Sequence, residues 1–158
     1  MPIFEHNFTV NAPLAPVVDF HRNSHVLKWL TPPPTILQIH NFEPLAEGSI
    51  ADFTLWFGPL PVHWVAVHIH VDFPRSFTDI QREGPLKSWR HTHTFIPLGD
   101  SLTRVNDVIA FEHHPGPKGL LSRALFPQPA LKALFTYRKA ATRYLVENYH
   151  PQNSPEKS

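Results

Sequence analysis

Two consecutive segments in the second half of the chain carry histidine and aspartate at alternate positions, which a β-strand directs to one face. A turn near Asp100 would pair the segments so that His93 lies opposite Asp107. A slip of one residue would mix apolar and charged side chains on each face, so the first register is favoured. The face that holds this pair is otherwise mainly apolar and is predicted to point inward; it comprises Trp89, His91, His93, Phe95, Val105, Asp107, Ile109 and Phe111.

An inward His93–Asp107 pair could act as a general acid and base. The carboxylate would orient the imidazole and raise its pKa, as proton transfer with an enolisable substrate requires. Two other interpretations remain open: a structural hydrogen bond that closes the hairpin, and a polar anchor for a ligand. No nucleophile or oxyanion element is identifiable beside the pair in the sequence. His93 and Asp107 are therefore candidate catalytic residues only.

A second pair of histidines, His68 and His70, has the same spacing on an earlier predicted strand. Two imidazole pairs on neighbouring strands could bind zinc or another divalent ion. If the valine-rich side of that strand (Val65, Val67) points inward, however, His68 and His70 face solvent and cannot share an ion with His91 and His93. The sequence therefore predicts no metal site and no cofactor.

Other large polar or aromatic residues have two interpretations each. Trp56, Trp64 and Trp89 could stack on a ligand or pack within the sheet. Arg138, on a predicted helix, could meet a ligand carboxylate inside the protein or pair with a surface acid. Arg90 and Arg104 fall on the opposite face of their strands and are predicted to be solvated.

The elements that must position these residues follow an α+β order. A β-rich segment at 3–10 precedes a short helix from Pro13 and a second helical turn at 24–29. Short turns separate the next six strands, which predicts an antiparallel meander. A long helix from Ala130 to about Tyr149 carries an apolar stripe that includes Leu134. The six strands are predicted at 35–42, 49–57, 60–73, 76–82, 86–97 and 102–113.

Length and composition limit the possible classes of protein. The 158 residues predict one domain at 1–150 and a flexible polar tail at 151–158. The absence of cysteine excludes disulfides, thiolate metal sites and a cysteine nucleophile, and a net charge of +1 gives no general attraction to nucleic acid. No membrane-spanning run or signal peptide is recognisable, so a cytoplasmic protein is expected. A monomer or a homodimer is expected as its oligomeric state. Residues 116–129 could form a mobile lid, a fixed kinked entry to the last helix, or a dimer contact.

Several segments resemble the SRPBCC (START-like, polyketide cyclase/dehydrase) superfamily, and in particular its bacterial ligand-binding branch. The resemblance extends over about residues 3–148 and is carried by FTVNAP at 8–13, DFH at 19–21, LTPP at 30–33, GPLPV at 58–62, WRHTHTF at 89–95, TRVND at 103–107 and FTYR at 135–138. It implies a helix-grip fold, in which a curved antiparallel sheet of about seven strands wraps around a long C-terminal helix, with two short helices after the first strand and a cavity between sheet and helix.

The resemblance predicts binding of a hydrophobic or amphipathic small molecule, such as a lipid-, sterol- or polyketide-like compound, in that cavity. One alternative is a polyketide cyclase or dehydratase that uses His93 and Asp107, and another is a lipid-transfer or partner-binding module without chemistry. Whether the protein is an enzyme is left open. The residues predicted to bind the ligand are Trp89, His91, His93, Phe95, Val105, Asp107, Ile109, Phe111, Leu134 and Arg138.

Overall fold

The computed structural model describes residues 2–148, so the predicted tail at 151–158 lies outside the described residues. Seven strands and three α-helices follow the predicted order, with two short 3₁₀ turns. The elements are β1 (Ile3–Val10), α1 (Leu14–Arg22), a 3₁₀ turn (Ser24–Lys28), β2 (Ile36–Phe42), β3 (Ile50–Phe57), β4 (Leu60–Asp72), β5 (Ser76–Glu83), β6 (Ser88–Gly99), β7 (Leu102–Glu112), a 3₁₀ turn (Gly116–Gly119), α2 (Leu120–Leu125) and α3 (Gln128–Glu147).

The strands form one curved antiparallel sheet in the order β1-β7-β6-β5-β4-β3-β2. From β2 to β7, each strand pairs in the sheet with the strand that follows it in sequence, because short turns connect them. The first strand instead pairs with β7 at the far edge, and α1 and the 3₁₀ turn after it lead the chain across the molecule to β2. Helix α3 packs its buried face against the sheet. The predicted helix-grip architecture is thereby confirmed.

The pairing of β6 with β7 has the predicted register. His93 lies opposite Asp107, and Phe95 lies opposite Val105. The predicted inward face is indeed the buried or half-buried one, whereas Arg90 on the other face is exposed. The alternation of apolar and polar side chains sets this register, because a slip of one residue would expose the whole apolar set.

Strand β4 directs the side chain of His68 into the protein, not into solvent. Trp64 and His68 are both buried, with 6% of each residue exposed, whereas Val67 is only half-buried. His70 is exposed, as predicted, and has a φ of 50° at a break in the pairing with β5. The alternative in which the valine side points inward and His68 faces solvent is therefore wrong, and His68 shares the inner face of the sheet with the histidines of β6.

The segment before α3 forms a kinked entry. Gly116–Gly119 and α2 fold as two short turns, and Phe126 at the end of α2 is buried. Helix α3 begins at Gln128, slightly before the predicted start, because Pro129 occupies the first turn, where a helix needs no backbone N–H donor. Among residues 2–148, no helix has both the length and the apolar character that crossing a membrane requires.

Candidate functional site

A cavity of about 180 Å³ lies between the inner face of the sheet, the α1 region and α3. Its walls are mainly aromatic and aliphatic, and the exposed side chain of Asn23 at its rim marks where it reaches the surface. The apolar lining residues are Val26, Leu27, Leu30, Phe42, Leu45, Ala51, Phe53, Leu55, Trp64, Ala66, Phe77, Trp89, Phe126 and Leu134.

One end of the cavity is polar. Its side chains come from five elements that are distant in sequence, and each reaches the cavity because its position lies on the inner face of a strand or helix. These residues are His21 on α1, His68 on β4, Asp79 on β5, His91 and His93 on β6, and Arg138 on α3. The cavity therefore has the division into apolar walls and a few convergent polar groups that is typical of small-molecule sites.

Two aspartates hold the two histidines of β6 from opposite sides. His91 Nε2 lies 2.9 Å from Asp107 Oδ1, and His93 Nε2 lies 3.1 Å from Asp79 Oδ2, both as hydrogen bonds. His93 Nδ1 is also 3.1 Å from Asp107 Oδ1, but its N–H is not aligned for a hydrogen bond, so this contact is an ion pair only. The predicted His93–Asp107 contact is present, whereas the hydrogen bond to Asp107 comes from His91.

The surroundings of each group set its charge. Burial by itself would lower the pKa of His93, but the carboxylates of Asp107 and Asp79 outweigh it and raise the pKa to about 9. Burial, reinforced by the positive His93, lowers the pKa of His91. Burial opposes ionisation of both aspartates, yet the two histidines lower the pKa of Asp79 to about 2 and that of Asp107 further. At neutral pH the cluster thus holds an imidazolium between two carboxylates, beside a neutral His91.

His21 and His68 present neutral imidazoles to the cavity. His21 Nδ1 lies 2.7 Å from the Val17 carbonyl oxygen, which can only accept, so Nε2 is left as an acceptor. Burial lowers the pKa of His21 to about 4. His68 Nδ1 lies 3.0 Å from Ser49 Oγ and 3.3 Å from the Ser49 carbonyl oxygen, to which it can donate, and burial likewise lowers the pKa of His68. These two rings can accept a hydrogen bond from a bound molecule without carrying charge.

Arg138 adds a positive charge at the same end. Its Nε donates to the Leu30 carbonyl oxygen at 3.3 Å, and the guanidinium carbon lies 5.2 Å from the centre of the Phe135 ring. Burial lowers the pKa of Arg138, and the negative charges of Asp107 and Asp79 act against that shift. An arginine remains protonated at neutral pH. Arg138 can therefore pair with an anionic group in the cavity.

The predicted ligand-binding residues divide into three groups by position. Trp89, His91, His93, Leu134 and Arg138 line the cavity. Asp107 is only 5% exposed and lies behind the histidines of β6, in contact with both. The remaining four pack in the hydrophobic core, not on the cavity wall: Phe95, Val105, Ile109 and Phe111.

Asp79, His21 and the inward position of His68 were not predicted from the sequence. Asp79 pairs directly with His91 across β5 and β6, but the turn between these strands does not fix their register in advance. His21 belongs to the segment DFH that carries part of the superfamily resemblance, which is a signal that could have found it. Trp64 lines the cavity, whereas Trp56 donates its indole N–H to Gln38 Oε1 at 2.9 Å.

Two groups of histidine and acidic side chains have the residue types of metal sites. Asp79, His91 and His93 each offer one ligand atom, and these atoms all lie within 4.8 Å of one another. On the outer face, the exposed His63 Nε2 lies 2.7 Å from Asp52 Oδ1, and the His40 ring centre is 5.8 Å from that of His63. Only the first group lines the cavity.

No family model and no curated protein matches the sequence. Solved structures do match over nearly the whole chain. The Zhui aromatase/cyclase from Streptomyces sp. R1128 has a TM-score of 0.74 at 16% identity and covers 98% of this chain and 99% of its own. Norcoclaurine synthase from Thalictrum flavum has a TM-score of 0.66 at 17% identity, with 94% and 88% covered. The protein TTHA0849 from Thermus thermophilus has a TM-score of 0.67 at 19% identity, with 94% and 100% covered.

At such low sequence identity, structural similarity indicates a shared fold and nothing more. Seven antiparallel strands, the pairing of β1 with β7 and the long helix α3 agree with it. The chain has the helix-grip fold, which the resemblance of its sequence to the SRPBCC superfamily implied.

Proposed function

We propose that the protein binds a small amphipathic molecule, with an aromatic or other compact apolar part and an oxygen-containing polar end, in the cavity. The observation that carries this proposal is the division of the cavity lining. Aromatic side chains such as Trp64 and Trp89 line one part, and the cluster around His93 with Arg138 forms the other. A ligand of matching polarity would bury its apolar part and pair its polar end at the same time.

The size of the cavity narrows the ligand class. An apolar cavity of about 150 Å³ accommodates benzene, and the cavity here measures about 180 Å³. A ring-sized molecule with a short polar substituent fits that volume. Of the three predicted ligand types, a sterol or a long acyl chain would need the walls to move apart, so a polyketide-like aromatic compound, or part of one, is favoured.

The polar end favours an acidic or hydrogen-bonding oxygen. Arg138 supplies the positive charge, and the neutral His21 supplies an acceptor. The charge of the His93 imidazolium is already paired with Asp79 and Asp107. A carboxylate, phenolate or enolate would therefore pair with Arg138, and a hydroxyl could donate to His21. The structure of norcoclaurine synthase carries dopamine and hydroxybenzaldehyde, which are one-ring phenols. That ligand class supports the same size and polarity here.

The test is to fill the cavity from its apolar wall. Ala66 lines the cavity from β4, and Ala66→Met would extend a side chain into it. We expect the affinity for one-ring aromatic acids, followed by fluorescence of the cavity tryptophans, to fall about tenfold or more. Ala110→Met on the outer face of β7 is the matched control and would leave the affinity unchanged. Equal affinities in the two variants would contradict binding in this cavity.

A second candidate function is acid–base catalysis of the cyclase type. The buried carboxylate–imidazole cluster favours it, and one structural neighbour is an aromatase/cyclase and another a synthase. His93 would donate a proton and a neutral acceptor such as His21 would receive one. His93→Gln would then abolish turnover of an enolisable aromatic ketone while the substrate still binds, whereas in a binding protein the same change would lower affinity and leave no turnover to lose.

A further inference from the structure

We propose that Asp79, His91 and His93 form a binding site for a divalent cation of the zinc class at the polar end of the cavity. The proposal goes beyond small-molecule binding and does not depend on it. It rests on three observations: the spacing of the donor atoms, a buried carboxylate behind the two imidazoles, and the charge of the site.

Two of the three separations between the donor atoms are close to those that a shared ion requires, and all three atoms lie within 4.8 Å of one another. His93 Nε2 lies 3.1 Å and His91 Nδ1 lies 3.5 Å from Asp79 Oδ2. Ligands at about 2.0–2.1 Å from a tetrahedral zinc are roughly 3.3 Å from one another. The strand pairing produces this arrangement, since His91 and His93 alternate on one face of β6 and Asp79 lies directly across from His91 on β5.

One carboxylate oxygen contacts both imidazole rings on the side that faces away from Asp79. The nitrogens that point away from Asp79 are His91 Nε2 and His93 Nδ1, and they lie 2.9 and 3.1 Å from the same atom, Asp107 Oδ1. Histidines that bind a metal usually donate their second ring N–H to a carboxylate or carbonyl, which fixes the ring and makes the ligand nitrogen more basic. Asp107 would thus position His91 through a hydrogen bond and His93 through a close contact that is not aligned as one.

The charge of the site also favours a cation. Two largely buried carboxylates, Asp79 and Asp107, require positive charge close by. An ion between the imidazoles would supply it. Three protein ligands leave a fourth position on the ion, and all three ligands line the cavity, so that position faces it. With Arg138 beside it, the loaded site would take an anionic oxygen ligand, such as a carboxylate or an enolate.

The choice of ion follows from the ligand atoms. Two imidazole nitrogens and one carboxylate oxygen suit zinc and other first-row divalent ions, whereas Mg²⁺ and Ca²⁺ prefer oxygen ligands alone. The exposed group at His63 and Asp52 provides a useful contrast. It has a similar composition, but His63 is 49% and Asp52 32% exposed at the side chain. It therefore serves as the internal control for unspecific binding by a histidine-rich surface.

The direct test uses the unmodified full chain. Protein stripped with a chelator would be crystallised with one equivalent of ZnCl₂, and anomalous diffraction recorded at the zinc edge. We expect a peak between Asp79, His91 and His93. No peak at that position, or a peak only beside His63, would overturn the proposal. Because no substitution is involved, the outcome does not depend on how a variant folds.

Variants then test the assigned roles by zinc calorimetry and by the visible absorption of bound Co²⁺. Asp79→Asn is expected to lower zinc affinity by at least about 100-fold, and Asp107→Asn by about 10–100-fold. His63→Gln is expected to leave both readouts unchanged. Loss of affinity in His63→Gln, with affinity retained in Asp79→Asn, would contradict the assignment. Binding of aromatic acids by the stripped protein is a separate readout, so failure of either proposal is recognised independently.

Discussion

At the scale of single residues, burial and neighbouring charge give chemically identical side chains different protonation states. His93 lies between two carboxylates, and their charges outweigh burial to raise its pKa to about 9. Among residues 2–148, His21 has only the Val17 carbonyl as a hydrogen-bond partner, and burial lowers its pKa to about 4. The two ring centres are 6.3 Å apart. Within one small cavity, therefore, one histidine is a donor and another an acceptor at neutral pH.

His21 should make the protein sensitive to acid. The unfolded chain takes up a proton at His21 near pH 6.5, whereas the folded protein does so only near pH 4, so stability falls as the pH drops between these values. A shift of this size corresponds to about 3 kcal/mol. His21→Asn keeps a donor for the Val17 carbonyl but cannot titrate. We expect the variant to lose about 2 kcal/mol less than the wild type between about pH 7 and pH 4.5 in urea unfolding.

The other histidines with lowered pKa are present in both proteins, so their contributions cancel in this comparison. An equal loss of stability on acidification in both proteins would show that His21 is not held neutral.

Residue-level prediction from the sequence succeeded where local alternation carries the information. The opposition of His93 and Asp107 follows from the pattern of two strands joined by a tight turn. Asp79 could not be recognised in the same way. A lone aspartate between Thr78 and Ile80 is typical of a solvated position. Its contact with His91 arises only from the pairing of β5 with β6. The site thus depends on a register that the sequence leaves open.

At the scale of elements, the backbone irregularity at His70 explains why the sequence pattern put the valine side of β4 on the inner face. His70 has a φ of 50°, in the left-handed region, and the pairing with β5 shifts between Ile69 and Asp72. Beyond this point Val71 packs against the core cluster that contains Phe77, although Trp64 and His68 are the inward residues before it. Simple alternation along 65–73 assigns one face to all the valines, because it assumes an unbroken strand.

Substitution of His70 by a β-branched residue tests whether its backbone has a positive φ. Valine is strongly disfavoured at positive φ, whereas glycine adopts it without strain. We expect His70→Val to lower the free energy of unfolding by about 1–3 kcal/mol and His70→Gly to leave it at or above the wild-type value. Thermal or urea unfolding measures both. A valine variant as stable as the glycine variant would contradict the left-handed conformation.

Helix α3 depends on Phe135 for its contact with the sheet. The Phe135 ring is 2% exposed, and its centre lies 5.4 Å from that of Phe4 and 5.5 Å from that of His91. Phe135→Ala is expected to cost about 3–5 kcal/mol of stability, because it leaves a void between helix and sheet. Tyr144→Ala on the same helix, where 70% of the residue is exposed, is the control and is expected to cost under about 1 kcal/mol. Similar costs for both variants would contradict this packing.

At the scale of the whole molecule, the fold was more predictable than its cavity. Turn residues and alternation are local, so they predicted seven strands and the long last helix within a few residues of their observed ends. The cavity is formed by side chains from α1, β4, β5, β6 and α3, and its volume depends on how completely these fill the space beneath the sheet. Core-facing positions such as Val105 and Ile109 resemble cavity-facing ones in sequence, which is why both were predicted to bind the ligand.

A bound ligand should also stabilise the whole fold. A molecule that binds only the folded protein adds about 2.7 kcal/mol at a concentration of 100 times its Kd. For a domain of this size that corresponds to a rise in Tm of roughly 5–10 °C. We expect the rise for the wild type and for the Ala110→Met control. Its persistence in Ala66→Met would place the binding site outside the cavity.

The central claim is that a small amphipathic molecule binds between the aromatic wall and the histidine cluster. Nuclear magnetic resonance of ¹⁵N-labelled wild-type protein tests it most directly, with 4-hydroxybenzoate added at millimolar concentration. The indole N–H signals of Trp64 and Trp89, which line the cavity, are predicted to shift, and that of Trp29, which is 62% exposed, is predicted to stay unchanged. Unchanged signals for Trp64 and Trp89, or a shift confined to Trp29, would contradict the account.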